Sequence, residues 1–284
     1  MLRSRVWQHA IRMIASDNQL PPANAACRMS DQVSKTRFHL NLSFALLTVA
    51  GSSTMFAADT MPLPAGQILL QTPAGIRLLD ESDARSSFYA LIPHMNSQQN
   101  LSYCGVATAV TVLNTLRPTN TPLSEGLDSK VAYFDQRNFF SKEVEAIVPQ
   151  SVVAKKGFTL DQWAAAIGSY DVKTEAWHCG KADGQTDFAT FMTRAKDALK
   201  STDQFLAVNF QRKALGQAGN SGHFSPVGAY NEKDAKFLVL DVASFKYAFF
   251  WVDASLLWTA MNTQDHVSKK NRGFVIVTAH PRNQ

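Results

Sequence analysis

Three residues of the 284-residue chain have types and settings that suit acyl transfer: Cys104, His223 and Asp241. Cys104 precedes the run Gly105 to Leu116, which reads as a helix apolar almost all round and therefore buried. A cysteine where a loop enters a helix meets unpaired N–H groups and the positive end of the helix dipole. Both favour the thiolate, which is the nucleophile. Gly105 leaves room beside it for a substrate. Taken alone, Cys104 also reads as a buried structural cysteine. His223 lies in Gly222-His-Phe-Ser225, after a glycine-rich loop over 216–222. A strand-edge imidazole is either a general base or a satisfied histidine. Asp241 closes the apolar run Phe237-Leu-Val-Leu240, where an unpaired carboxylate is costly to bury. It either orients an imidazole or caps a strand end.

The elements around these residues predict how they meet. Residues 67–70 are strand-like, and the stretch holding Pro73 and Gly75 reads as turn-rich. Helices are expected over 105–116, 143–155, 159–169, 186–200 and 254–262, with Thr159 and Gln162 as a capping pair for the third. Strands are expected over 205–210, 237–242 and 273–279. His223 opens a further strand that turns at Asn231–Asp234 and returns to Asp241, so the two side chains can meet across a hairpin. Helices come first and strands mostly later, which predicts an α+β domain. The order Cys, His, Asp on that scaffold is the arrangement of a papain-like cysteine protease fold. Its nucleophile stands at the N-terminus of a buried helix, with His and Asp on an antiparallel sheet. Gln98, six residues before Cys104, stands where such enzymes place an oxyanion-hole glutamine. One such donor is worth roughly 3–4 kcal/mol. Gln99 next door leaves one position of ambiguity.

Residues 1–57 read differently from the rest. Lys35, Arg37 and His39 precede the apolar run Leu40 to Ala50, and small residues with Ala57-Ala58 follow. That order is the order of a signal peptide, and the run is too short to span a bilayer. The expected organisation is a presequence over 1–57, with Met29 as an alternative start, and one catalytic domain over 58–284. Export to the periplasm follows as an expectation, with no stable membrane span after cleavage. The formal net charge is +5. Without residues 1–57, 22 basic and 21 acidic residues remain, so nothing electrostatic points to nucleic acid. Cys104 and Cys179 are then the remaining cysteines, which an oxidising compartment could pair. His178-Cys179 lacks the partner set of a zinc site, and no metal ligands are assigned.

Several motifs together resemble the phytochelatin synthase family. They are Gln98-x5-Cys104-Gly105-x-Ala107 with Leu113-Asn114, Gly222-His223-Phe224-Ser225-Pro226, Leu240-Asp241-Val242-Ala243 with Phe245-Lys246-Tyr247, Leu257-Trp258-x-Ala260-Met261, and Arg272-Gly273-Phe274. The resemblance runs from about residue 90 to 280. It implies a papain-like domain that transfers the γ-glutamylcysteine unit of glutathione through a Cys acyl-enzyme, with loss of glycine. The acceptor is water, glutathione or a growing phytochelatin. It implies Cys104, His223 and Asp241 as the triad and Gln98 as the oxyanion glutamine. Asp265, Arg272 and Gly222 are the candidate substrate-binding residues, the charged pair matching the amine and carboxylate of the γ-glutamyl end. No tightly bound cofactor is implied. Cadmium or zinc thiolates of glutathione enter as substrate or activator. A homodimer is admitted as an assembly.

Two departures bear on the acceptor. The Cys-rich C-terminal domain of the plant enzymes is not expected here, and Ser244 stands where the family often has Arg. Short bacterial relatives lean toward hydrolysis, so γ-glutamylcysteine is the favoured product. The rival readings are a papain-like amidase or peptidase acting on another peptide, and a non-enzymatic exported metal-binding protein. The sparse thiols argue against the second.

Overall fold

The computed structural model of the chain describes residues 60–124, 130–180, 182 and 186–280. The expected presequence over 1–57 and the alternative start at Met29 lie outside the described residues. Among the described residues no helix is long and apolar enough to cross a membrane.

The chain runs β1 (Ile68–Leu69), α1 (Pro73–Asp80), α2 (Ser86–Leu91), α3 (Cys104–Leu116), α4 (Lys142–Ile147), α5 (Gln150–Lys156) and α6 (Leu160–Gly168). It continues with β2 (Val172–His178), α7 (Phe188–Lys200), β3 (Gln204–Gln211), β4 (Gly222–Asn231) and β5 (Lys236–Val239). It ends with β6 (Phe250–Asp253), α8 (Ala254–Met261) and β7 (Gly273–Ala279). Among the described residues seven strands form one sheet in the order β1-β6-β5-β4-β3-β7-β2, with antiparallel pairing throughout. The class is α+β, as the order of elements predicts.

Helices cover both faces of the sheet. One core gathers α3 and α6 with Phe224, Ala229, Leu238 and Leu240. The other gathers Phe191, Ala195 and Leu199 of α7 and Leu257 and Met261 of α8 with the opposite face of the same strands. All residues of α3 except Thr115 are buried. A helix apolar all round needs this, because it has no face to give to water.

Four differences from the expected elements have local causes. The stretch holding Pro73 and Gly75 is a helix rather than a turn. Thr72 caps it by accepting from Gly75 N at 3.1 Å, and Pro73 sits in the first turn, where its missing N–H costs nothing. A side chain on Gly75 would meet Leu69 O at 2.1 Å, so the glycine serves a close approach. The helix expected over 143–155 is two, α4 and α5. Pro149 separates them and holds Val148 extended at φ −156°. β2 pairs along β7 at the edge of the sheet, and its mixed polar sequence hid it. β5 ends at Val239, so Asp241 lies just past the strand, and Leu240 N donates to Pro226 O.

The start of α3 is locked onto β4 by Trp163. Its Nε1 donates to Gly105 O at 2.8 Å, and its ring stacks on Phe224 at 5.4 Å. A Cβ on Gly105 would stand 2.9 Å from the Phe158 ring and 3.1 Å from Trp163. Gly105→Ala is therefore expected to overpack the site and cost about 1–3 kcal/mol, read as a lower Tm.

Candidate active site

α3, β4 and the segment after β5 bring the three expected residues to one place. Cys104 is the first residue of α3, His223 is the second of β4, and Asp241 follows β5. His223 and Asp241 are 4% and 0% exposed. The hairpin of β4 and β5 carries a register shift between Val227 and Ala229, and it places Asp241 Oδ1 2.9 Å from His223 Nε2. His223 donates through Nε2 to that oxygen, which leaves Nδ1 as the ring nitrogen for Cys104.

Arg212, which sequence reasoning missed, completes the carboxylate. It lies directly after β3, is 3% exposed, and donates from Nη1 to Asp241 Oδ2 at 2.9 Å and from Nη2 to Oδ1 at 3.0 Å. Ala243 N donates to Oδ1 at 2.8 Å. Arg212 Nη2 also lies 2.9 Å from His223 Nε2. With Asp241 ionised, both nitrogens direct hydrogens to Oδ1, so their contact is one of packing and like charge.

These charges set the protonation of the group. Burial alone would raise the Asp241 carboxyl, but the charges and hydrogen bonds of His223 and Arg212 hold it below the usual carboxylate range. Burial alone would lower His223, but the Asp241 charge and hydrogen bond and the Cys104 charge together raise the imidazole, with Arg212 opposing. Burial alone would raise the Cys104 thiol. The His223 charge and hydrogen bond, Phe224 N–H and the Arg212 charge together bring it down. The thiol lowered and the imidazole raised both move the group toward a thiolate–imidazolium pair. Cys179 is the contrast: it is fully buried, and burial alone pushes its thiol up. Both are free thiols, so the disulfide alternative does not hold. Cys104 is expected to react with iodoacetamide well below the pH an ordinary thiol needs, with Cys179 unmodified, as peptide mass analysis would show.

Gln98 is buried and Gln99 exposed. Gln98 N donates to Val242 O at 2.8 Å, tying its loop to the residue after Asp241. Gln136 braces the same loop by donating to Ser97 O at 2.7 Å and accepting from Gln99 N at 2.9 Å. Gln98 Nε2 donates to Asn100 O and Leu101 O at 2.8 and 3.0 Å, and its Oε1 is buried without a partner. An oxyanion role therefore requires one of these amide hydrogens to turn toward the substrate.

A cleft of about 360 Å³ opens on Cys104. Asp265, Arg272 and Gly222 line it, so all three expected binding residues reach the nucleophile's cleft. Arg272 is 4% exposed, and its Nη1 donates to Thr263 Oγ1 at 3.1 Å and Gln264 O at 2.8 Å. Its Nε is buried without a partner. Asp265 accepts from Val267 N at 2.7 Å. A Cβ on Gly222 would meet Arg272 Nε at 2.8 Å, so only glycine leaves the guanidinium face clear. Gly222→Ala is expected to raise KM about tenfold or more while leaving Cys104 alkylation unchanged, because Arg272 is pinned and cannot give way. Asn209 on β3 also lines the cleft, 3% exposed, with its Oδ1 unpartnered. An Asn inside the apolar run Phe205 to Phe210 was the signal for it. Among the described residues no group of three or more His, Cys, Asp or Glu is placed to hold a metal ion. His178 instead binds Asp161 Oδ1 through Nε2 at 2.8 Å.

Residues 58–274 match the family model described as phytochelatin synthase. The chain belongs to the phytochelatin synthase family. The glutathione γ-glutamylcysteinyltransferase of Schizosaccharomyces pombe is 30% identical over 202 residues, which is 71% of this chain and 45% of that protein. An enzyme of the same name from Lotus japonicus is 29% identical over 210 residues, 73% of this chain and 41% of that one. The chain thus spans under half the length of these curated relatives. Among solved structures, xylellain, a cysteine protease from Xylella fastidiosa, matches 78% of this chain and 88% of its own at 11% identity and a TM-score of 0.35. Within the phytochelatin synthase match lie Gln98, Cys104, Arg212, His223, Asp241, Asp265 and Arg272.

Proposed function

We propose that the protein cleaves the Cys–Gly amide of glutathione by way of a γ-glutamylcysteinyl thioester on Cys104. One observation carries this reading. The buried Cys104–His223–Asp241 group opens on a cleft that also holds a buried anion, Asp265, and a buried cation, Arg272. A γ-glutamyl end offers one ammonium and one carboxylate, which such a pair matches.

The steps follow from the protonation states. The Cys104 thiolate attacks the cysteinyl carbonyl carbon of glutathione and forms the C–S bond. The backbone N–H of Cys104, together with a Gln98 amide hydrogen turned from its loop, receives the oxyanion. His223 gives its proton to the glycine nitrogen as the C–N bond breaks, and glycine leaves. His223, now neutral, takes a proton from water, whose oxygen attacks the thioester. The C–S bond breaks, and thiolate and imidazolium are restored. Asp241 keeps the imidazole oriented throughout and stabilises its charged form.

Water is the proposed favoured acceptor. Supporting this, Ser244 offers no cation to a second peptide, and its hydroxyl donates to Ser97 Oγ at 2.7 Å. Glutathione as acceptor would give (γGlu-Cys)n-Gly peptides, and cadmium or zinc thiolates of glutathione belong to the reaction as substrates. Export remains part of the proposal through the order of residues over 1–57.

Mass analysis of glutathione incubated with the protein, with and without cadmium or zinc, tests the reading. γ-Glutamylcysteine and glycine alone indicate hydrolysis, and longer γ-glutamylcysteine peptides indicate transfer. Turnover of other peptides with glutathione untouched would select the amidase reading. Asp265→Asn and Arg272→Gln are each expected to raise KM for glutathione at least about tenfold, because each leaves one charge of the substrate unpaired in a buried site.

A further inference from the structure

We infer that Arg212, held in place by Gln217 and Gln67, is a positioning residue that keeps the Asp241 carboxylate aligned with His223 for catalysis. The inference rests on the triad proposed above, and its alkylation readout does not depend on glutathione as the substrate.

A buried polar relay carries it. Arg212 Nη1 donates to Gln217 Oε1 at 2.7 Å as well as to Asp241 Oδ2. Gln217 Nε2 donates to Gln67 Oε1 at 3.0 Å, and Gln67 Nε2 donates to Leu215 O at 2.7 Å. Gln67 and Gln217 are 9% and 4% exposed. The sense of the relay is determined by its far end. Leu215 O can only accept, so Gln67 must present its amide nitrogen there and its oxygen to Gln217. Gln217 must then present its oxygen to Arg212, which can only donate. Neither the Gln67 nor the Gln217 amide can flip without placing like against like.

Three of the five guanidinium hydrogens of Arg212 are committed within the relay and to Asp241. Its Nη1 hydrogens go to Gln217 and Asp241, and Nη2 is engaged at Oδ1 beside the imidazole. It is not among the cleft-lining residues. The Tyr247 ring lies 5.1 Å from its guanidinium carbon, and Tyr247 Oη accepts from Ala218 N at 2.8 Å. The guanidinium is therefore fixed in its plane, by the ring, and along its edge, by Gln217. A carboxylate with both oxygens held cannot rotate away from His223.

The sign of the electrostatic effect follows from the groups that face it. These are Asp241, His223 on β4, Cys104 on α3, and Lys246, whose Nζ donates to Ala218 O at 2.8 Å. The Arg212 charge lowers both the Cys104 thiol and the His223 imidazole. Without it the acid limb of Cys104 reactivity moves to higher pH.

The test uses the full chain as wild type, Arg212→Gln and Gln217→Met. The pH dependence of iodoacetamide modification at Cys104 is read by peptide mass, with kcat and KM for glycine release and Tm as a check on folding. Arg212→Gln is expected to move the acid limb upward and lower kcat about 100-fold, the scale of a small misplacement of a catalytic group. Gln217→Met keeps the charge and loosens its seat. It is expected to lower kcat about tenfold, with KM within about twofold and a smaller upward shift of the limb. If Arg212→Gln does not fold, Gln217→Met carries the test. A folded Gln217→Met with wild-type kcat and limb overturns the inference. So does a loss confined to KM, which would make the relay part of substrate binding. A wild-type Cys104 that alkylates only at ordinary thiol pH overturns the triad itself, and that failure shows before any variant is compared.

Discussion

Replacing Cys104 with serine is expected to cut glycine release from glutathione on the order of 10⁶-fold, to the level of the solution reaction helped only by binding. The hydroxyl has the right size and position but the wrong acidity. The site lowers a thiol by the charge of His223, a hydrogen bond from its ring, the Phe224 N–H and the Arg212 charge. The same surroundings leave an alcohol protonated, and no resting oxyanion forms. KM should change little, because Asp265, Arg272 and Gly222, which we propose hold the substrate, line the cleft from other elements. The fold should be unaffected, since Cys104 opens α3 without any side-chain bond that the helix needs. Steady-state glycine release with a matched Tm measures both expectations. Retained turnover would remove Cys104 from the chemistry.

The second large effect is at Asp241. Asp241→Asn is expected to lower kcat on the order of 10⁴-fold. It should also destabilise the protein by about 3–5 kcal/mol, because Arg212 would be left as a buried cation without its anion. The catalytic loss has two parts. An amide cannot be relied on to accept from both Nε2 and the guanidinium, so the imidazole loses its orientation. The Asp241 charge also raises His223, so its removal lowers the imidazole and narrows the pH range in which thiolate and imidazolium coexist. Stability should follow a simple sign. The native Asp241 carboxyl is depressed, so its contribution is present above the ordinary carboxylate value of about 4 and lost as pH falls through the lower folded value. Wild type should lose Tm over that acid range, and Asp241→Asn should lack this part of the loss.

The grouping of the three candidate residues was more legible in the sequence than the support around it. Cys104, His223 and Asp241 stand out because each breaks a local pattern. A thiol meets the start of an apolar helix, an imidazole follows a glycine loop, and a carboxylate ends an apolar strand. The buried α3 was legible for the same reason, as twelve residues with almost no polar face. Arg212 was not. It follows β3 in a run that looks like a polar loop, and its burial depends on a carboxylate 29 residues later. The hint was in Asp241 itself, because two carboxylate oxygens need more donors than one imidazole supplies. Gln67 and Gln217 are 150 residues apart, and no local pattern points from one to the other. The helix at Pro73 was misread as a turn because proline and glycine mark both turns and helix starts. Only the Thr72 cap and the packing of Gly75 against Leu69 O decide between them.

The role of Gln98 divides the same way. Its position before Cys104 was legible, while the direction of its amide was not. Nε2 is committed to two loop carbonyls, and Oε1 is left without a donor. Whether an oxyanion can draw one hydrogen away depends on the loop that Gln136 braces.

The central claim is a γ-glutamylcysteinyl thioester on Cys104. Intact and peptide mass spectrometry of the protein quenched in acid during turnover with glutathione reads it directly. The predicted result is one γ-glutamylcysteinyl group on the Cys104 peptide, resistant to reductant, lost to hydroxylamine, and accompanied by one glycine released per adduct. An unmodified Cys104 while glutathione is being consumed, or an adduct of whole glutathione that reductant removes, would contradict it.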